Sequence, residues 1–239
     1  SMDVDVNENH KAMPSQREMR SILWTSTAVV VVAVPVCLYV YRQPRLVVYA
    51  NSNRREALKV LFVGNSLTYY HDMPAIMIGL IQREQPDRPL KVAMVTAPGA
   101  RLRDHFRGGK LKEVLREDGP WDWVVLQEQG GLPRAQPEEA RHDTRLLAKQ
   151  VRNRGARPVL YVDWMNPPIS EGDVHGYHAI ARYLQIDTIF RLRQCRSVTS
   201  GMRCAMNCRL AGYCAQNGIH PNFVGSYVVA YACATTCLR

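Results

Sequence analysis

The sequence predicts an α/β protein, a parallel sheet covered by helices on both faces, preceded by one apolar segment long enough to cross a membrane. Three observations carry this. From residue 57 onward short apolar runs alternate with helix-like stretches, the pattern of a buried parallel sheet. One of those runs stops at Gly64-Asn65-Ser66, a turn at a strand end, where open sheets gather their ligand sites. Further upstream, Ile22 to Tyr41 carries no charged residue and is long enough to span a bilayer as a helix.

Residues 1–21 are polar and mixed in charge, contain Pro14, and read as a flexible tail. Residues 22–41 read as a transmembrane helix or signal anchor. Trp24 near its start and Tyr39 and Tyr41 near its end suit the two interfaces. The β-branched run Val29–Val32 is no obstacle, because a helix in lipid satisfies its own backbone and propensity matters little there. A buried soluble helix is one alternative. A cleaved signal peptide is another, with small residues suitably placed at Val48-Tyr49-Ala50. The segment is longer than a usual signal core and begins far from the first residue, which favours a single-pass anchor in a membrane. Lys11, Arg17 and Arg20 precede it, and Arg42, Arg45, Arg54, Arg55 and Lys59 follow; that count favours a cytoplasmic C-terminal side.

Residues 42–56 read as a basic linker and residues 57–239 as the folded domain. Strands are expected at Lys59–Val63, Leu90–Val95, Trp123–Gln127 and Pro158–Val162, and helices at Met73–Glu84, Leu111–Glu117, Pro137–Asn153 and Asp173–Leu184. The helix from Pro137 opens well, with proline in its first turn and Glu138 and Glu139 beside the positive end of its dipole. After Asp187 the composition changes. Thr188 to Arg239 holds no Asp or Glu, yet Arg191, Arg193, Arg196, Arg203, Arg209 and Arg239 are present. The sequence offers no physical account of that shift.

The net charge of +10 fits a solvated basic face. No nucleic-acid motif accompanies it, so no nucleic-acid partner is expected. Of the seven cysteines, Cys37 lies in the expected span, and Cys195, Cys204, Cys208, Cys214, Cys233 and Cys237 crowd the C-terminal end. An exported domain would allow disulfides among them. Cys204 and Cys208, like Cys233 and Cys237, are four apart, as a metal pair on one helix face requires, but no paired C-x-x-C motif appears. Reduced or incidental thiols are expected ahead of a zinc site, and no metal and no cofactor is expected.

A serine needs a base to take its proton and donors to receive the oxyanion that forms. Ser66 follows a strand, and Gly64 leaves room for a tight turn that presents its side chain and N–H. Pro98-Gly99, after the second strand, brings a further backbone N–H toward the same crevice. Gln127 and Gln129 offer amides at the end of the third. His220, in Asn217-Gly218-Ile219-His220-Pro221, is the base candidate. The plainer alternatives are a serine that caps the next helix, a loop histidine, and an ordinary strand end.

These residues resemble the SGNH (GDSL-like) hydrolase superfamily, over roughly Lys59 to Tyr231. Val63-Gly64-Asn65-Ser66-Leu67-Thr68-Tyr69 with Asp72-Met73-Pro74 looks like the nucleophile block of its G-N-S branch. Pro98-Gly99-Ala100-Arg101-Leu102 leading to His105 looks like the glycine block. Asp122 to Gln129 looks like the third block, with glutamine in place of the oxyanion asparagine, and Gln129 is a better match than Gln127. Gly218-Ile219-His220-Pro221-Asn222 and Gly225-Ser226-Tyr227 look like the final block. The resemblance implies a flavodoxin-like three-layer α/β/α sandwich over residues 57–239, Ser–His catalysis without metal, and small-molecule or carbohydrate ester substrates, often acetylated.

One position departs from the pattern. The family places aspartate three residues before the histidine, and this chain has Asn217. Asparagine there can hold the imidazole in the wrong tautomer; in the serine-protease example the same exchange lowers turnover by about ten-thousandfold. With no acid beyond Asp187, a substitute carboxylate would come from Asp163, Glu171 or Asp173. The expectation is a membrane-anchored serine esterase weakened by Asn217. The alternatives are a catalytically impaired protein that binds a glycan or acyl ligand, and a basic membrane-surface scaffold.

Overall fold

The computed structural model describes residues 43–162, 171–189 (backbone only for 171–175) and 220–238. The chain divides into two units, Ser1–Tyr41 and Arg42–Arg239. The expected tail and membrane span of residues 1–41 lie outside the described residues. No helix among those described is long and apolar enough to cross a membrane.

The second unit is built on a six-stranded sheet. In chain order its strands are β1 (Arg45–Asn51), β2 (Leu58–Gly64), β3 (Leu90–Thr96), β4 (Trp123–Leu126), β5 (Arg157–Tyr161) and β6 (Asp187–Ile189). Across the sheet the order is β1-β3-β2-β4-β5-β6. The pairs from β3 to β6 are parallel, with Val63 opposite Val95 on one side and Leu126 on the other. β1 alone runs antiparallel, with Arg45 opposite Thr96. The sheet is therefore mostly parallel with one antiparallel edge.

The helices are α1 (Ser66–Tyr69), α2 (Met73–Glu84), α3 (Leu102–Arg107), α4 (Lys110–Glu117), α5 (Leu132–Ala135), α6 (Pro137–Arg152), α7 (Glu171–Leu184) and α8 (Phe223–Cys237), with a 3-10 turn at Tyr70–Asp72. Side chains alternate along each strand, so one strand feeds both layers. On β2, Leu61 and Val63 join Leu102, Leu111, Val114, Leu147, Val151 and Ile180 under α3, α4, α6 and α7. Val60 and Phe62 join Met73, Met77, Ile81, Val229 and Cys233 under α2 and α8. Both faces are covered, which is why the strands read as continuous apolar runs.

The structure corrects one local reading and adds two features. The segment 42–56 is not simply a linker: Leu46 to Ala50 sit in β1, and Ala50 pairs with Val92. A cut after Val48-Tyr49-Ala50 would sever that edge strand. The first addition is α8, a helix whose residues are largely apolar on every side and so carry no amphipathic period. It is started by Asn222, whose Oδ1 accepts the Gly225 N–H at 2.9 Å. The second addition concerns Cys233 and Cys237, which fit the expected reduced thiols. Both are free, buried thiols packed on the sheet, and burial pushes Cys237 up to about 12 and Cys233 well above its ordinary value. They behave as small apolar side chains.

The chain runs from β2 to β3 on one side and then crosses to β4 on the other. That reversal falls between β2 and β4, and it is beyond the carboxyl ends of strands at such a point that open α/β sheets hold ligands. Gly64-Asn65-Ser66 leaves β2 at that point, and Gln127-Glu128-Gln129 leaves β4 beside it.

Candidate active site

The turn after β2 is built by its own side chains. The Asn65 Oδ1 accepts the Leu67 N–H at 3.1 Å, capping α1, while its Nδ2 donates to the Ala100 carbonyl at 3.0 Å. Asn65 thus starts the helix that opens with Ser66 and ties it to the loop at Gly99-Ala100. Gln127 Oε1 accepts the Asn65 N–H at 2.8 Å and the Thr68 hydroxyl at 3.0 Å. A side chain at Gly64 would not fit: a Cβ there would lie 2.4 Å from that Oε1 and 2.6 Å from Thr68 Oγ1.

His220 Nε2 lies 2.9 Å from Ser66 Oγ, across 154 positions of sequence. Two features hold the imidazole there. Its ring stacks on Tyr70 with centroids 4.0 Å apart and planes 7° from parallel. Tyr70 is fixed in turn by Ser226 on α8, whose hydroxyl donates to the Tyr70 carbonyl at 3.2 Å. Partial burial lowers the His220 pKa from its ordinary value. The ring therefore stays neutral near pH 7, the form that accepts a proton. Asn217, the expected third member, lies outside the described residues, as do Asp163 and the cysteines from 195 to 214.

Gly99 has φ +64 and lies exposed at the loop after β3. Among the described residues, neither its N–H nor that of Ser66 is spent on an acceptor. Gln129 is exposed at the end of β4. Gln127, named with it as an amide donor, is fully buried, and its Nε2 is directed to the Glu128 carbonyl. This corrects its expected place: it lies beneath the turn as a latch. A fully buried amide with both ends engaged on the backbone holds the turn in place and is shut off from the solvent side of the site.

Two groups beside the site were missed or understated in the sequence. His105, quoted above only within the glycine block, is one of them. It is buried, and its Nε2–H donates to the Gly64 carbonyl at 2.8 Å, leaving Nδ1 buried without a partner among the described residues. Burial lowers its pKa, because a second ring proton would have no acceptor. Glu128 is the other. It has no solvent exposure, and burial pushes its carboxyl up to about 7. Only its place between two glutamines in Leu126-Gln127-Glu128-Gln129 hinted at a role, and a lone acid beside a strand end is normally solvated.

With the geometry in place, the class is clear at the level of fold: a flavodoxin-type sheet whose first parallel strand ends in Gly64-Asn65-Ser66. No family model and no curated protein matches the chain. Solved structures do. A protein of Slackia heliotrinireducens assigned to the SGNH hydrolases is 23% identical, covers 75% of this chain and 98% of its own, and has a TM-score of 0.59. Axe2, an acetylxylan esterase from Geobacillus stearothermophilus, is 16% identical over 77% of this chain and 96% of its own, with a TM-score of 0.57. LAE5, an α/β hydrolase enzyme from the metagenome of Lake Arreo in Spain, is 18% identical over 80% and 98%, at 0.56. At these identities the likeness is one of fold: the chain has the SGNH hydrolase fold.

Proposed function

We propose that this chain is a serine esterase. The observation that carries the reading is the 2.9 Å approach of His220 Nε2 to Ser66 Oγ at the carboxyl end of β2. In this reading the Ser66 hydroxyl donates to the neutral imidazole, and Oγ attacks the ester carbonyl as the proton passes to Nε2. The Ser66 N–H, the Gly99 N–H and the Gln129 amide receive the oxyanion. The imidazolium returns its proton to the leaving alcohol, and a water deprotonated by His220 then releases the acid from Ser66. The substrate is a carboxylic ester of a small alcohol or carbohydrate; an acetylxylan esterase among the similar structures supports the acetylated kind.

The test is serine labelling. A fluorophosphonate should acylate one site, aryl acetates should be hydrolysed, and Ser66→Ala should abolish both. No labelling of folded protein at high probe concentration counts against the reading. Asn217→Asp adds a second arm. Nε2 faces the serine, so Nδ1 carries the other proton, and a carboxylate there would hold that tautomer and stabilise the imidazolium. Turnover should rise by one to several orders of magnitude; an unchanged rate would mean that position 217 does not face the ring.

A second reading is favoured by Asn217 itself: a protein that keeps the crevice to bind a glycan or acyl ligand and has lost turnover. It would show ligand-dependent thermal stabilisation that survives Ser66→Ala. Residues 22–41 are proposed as a single-pass membrane anchor. The full chain should then resist carbonate extraction and a chain starting at Arg42 should not.

A further inference from the structure

We infer that Glu128 is a positioning residue that hangs both halves of the oxyanion site from one buried carboxylate oxygen. The inference rests on the esterase reading above. Glu128 Oε1 accepts two backbone N–H groups, that of Gln129 at 2.7 Å and that of Leu102 at 3.1 Å. Gln129 is the side-chain donor proposed for the oxyanion. Leu102 is the first residue of α3, three positions beyond Gly99, the proposed loop donor.

The Gly99 loop is pinned at three points, and each leads back to the reacting groups. At its start the Ala97 N–H donates to the Gly64 carbonyl at 3.3 Å. In its middle the Ala100 carbonyl accepts from Asn65 Nδ2 at 3.0 Å. At its end the Leu102 N–H sits on Glu128. The first two pins register the loop against the nucleophile turn. The third alone registers it against the end of β4, and the oxyanion donors stand on both segments. Without Glu128 the glycine loop and Gln129 lose their only direct hydrogen-bonded connection among the described residues.

A carboxylate whose sole task was to cap α3 would not need burial. At the start of α3 the Arg101 N–H is taken separately by Asp104 Oδ2 at 2.9 Å. Glu128 Oε2 has no partner among the described residues. An unsatisfied buried oxygen is costly, and such costs are kept where the arrangement serves a site. Oε1 is a carbonyl-type acceptor whether or not a proton rests on Oε2, so the clamp works in both protonation states. An amide at position 128 keeps that acceptor too.

The experiment compares the full-length wild type with Glu128→Ala and Glu128→Gln, using 4-nitrophenyl acetate hydrolysis and residue-resolved amide exchange. A loosened oxyanion site weakens transition-state binding and leaves ground-state binding in place. Glu128→Ala should therefore lose about 10- to 100-fold in kcat with KM held within about twofold. Its Leu102 and Gln129 amides should exchange about tenfold faster or more. Glu128→Gln should restore kcat to within about threefold of wild type and keep both amides protected. A kcat for Glu128→Ala within twofold of wild type would overturn the proposal, and so would a rise in KM at constant kcat. If the wild type hydrolyses no ester, the esterase reading fails on its own, and the exchange rates decide the clamp: unchanged protection at Leu102 and Gln129 sinks it. Should Glu128→Ala fail to fold, Glu128→Leu fills the volume without the acceptor and takes the same measurements.

Discussion

His220 and Tyr70 stack face to face, 4.0 Å between centroids and 7° between planes, so a residue four positions past Ser66 aims the imidazole that faces that serine. Tyr70 both restricts the imidazole and screens one of its faces from water. Tyr70→Ala should lower kcat by about 10-fold through a less ordered base. It should also shift the kcat/KM profile to higher pH, because exposing the ring removes the desolvation that depresses its pKa. Steady-state rates across pH 5 to 9 check both.

The pH profile of the wild type follows from the same group. In the proposed mechanism His220 reacts in its neutral form, and burial lowers its pKa below the ordinary 6.5. Activity should therefore rise with pH, reach half its plateau below 6.5, and stay flat through neutrality. A midpoint above 7 in kcat/KM would point to a carboxylate charge acting on the ring.

Gln127 and Gly64 form one latch, and breaking either should have the same consequence. Gln127→Ala leaves the buried Asn65 N–H and Thr68 hydroxyl without their acceptor, which should cost about 2–4 kcal/mol. Gly64→Ala drives a methyl onto Gln127 Oε1 and Thr68 Oγ1 and should cost about 1–3 kcal/mol. Since both act through the same oxygen, the double variant should lose less than the sum. Chemical denaturation of the three variants measures the coupling.

Glu128 should leave a signature in stability against pH. Its carboxyl is raised to about 7 from an ordinary 4.5. Between those values the unfolded chain gives up its proton while the native one keeps it. Stability then falls as pH rises through that window, by about 3 kcal/mol for this group alone. His105 and His220, both depressed, act in the opposite sense, losing stability as pH falls below 6.5. The net curve mixes the three, so the readout is the difference between wild type and Glu128→Gln. That difference should shift against the wild type from pH 5 to pH 8 in thermal unfolding. A pH-independent difference would mean that the Glu128 proton is not displaced.

Much of this was legible in the chain. The four inner strands and the helices from Met73, Lys110 and Pro137 were readable because burial on both sheet faces writes apolar runs, and one-sided burial writes a helical period. Met73, Met77 and Ile81 show that period plainly. β1 was hidden by arginines on either side and by lying half-exposed at an edge. α8 was hidden by its uniformity.

At the site, the sequence by itself determined which residues are chemically able. Gly64, Asn65 and Ser66 follow from a strand that must end in a tight turn, and His220 from its local setting. Tertiary structure alone decided who meets whom. It brought His220 to Ser66 across 154 positions, turned Gln127 from a ligand donor into a latch, and buried His105 and Glu128 under the turn. The reason is physical: strand and turn signals are local sums over neighbouring residues, whereas burial and hydrogen-bond partners depend on segments that only the sheet order brings together.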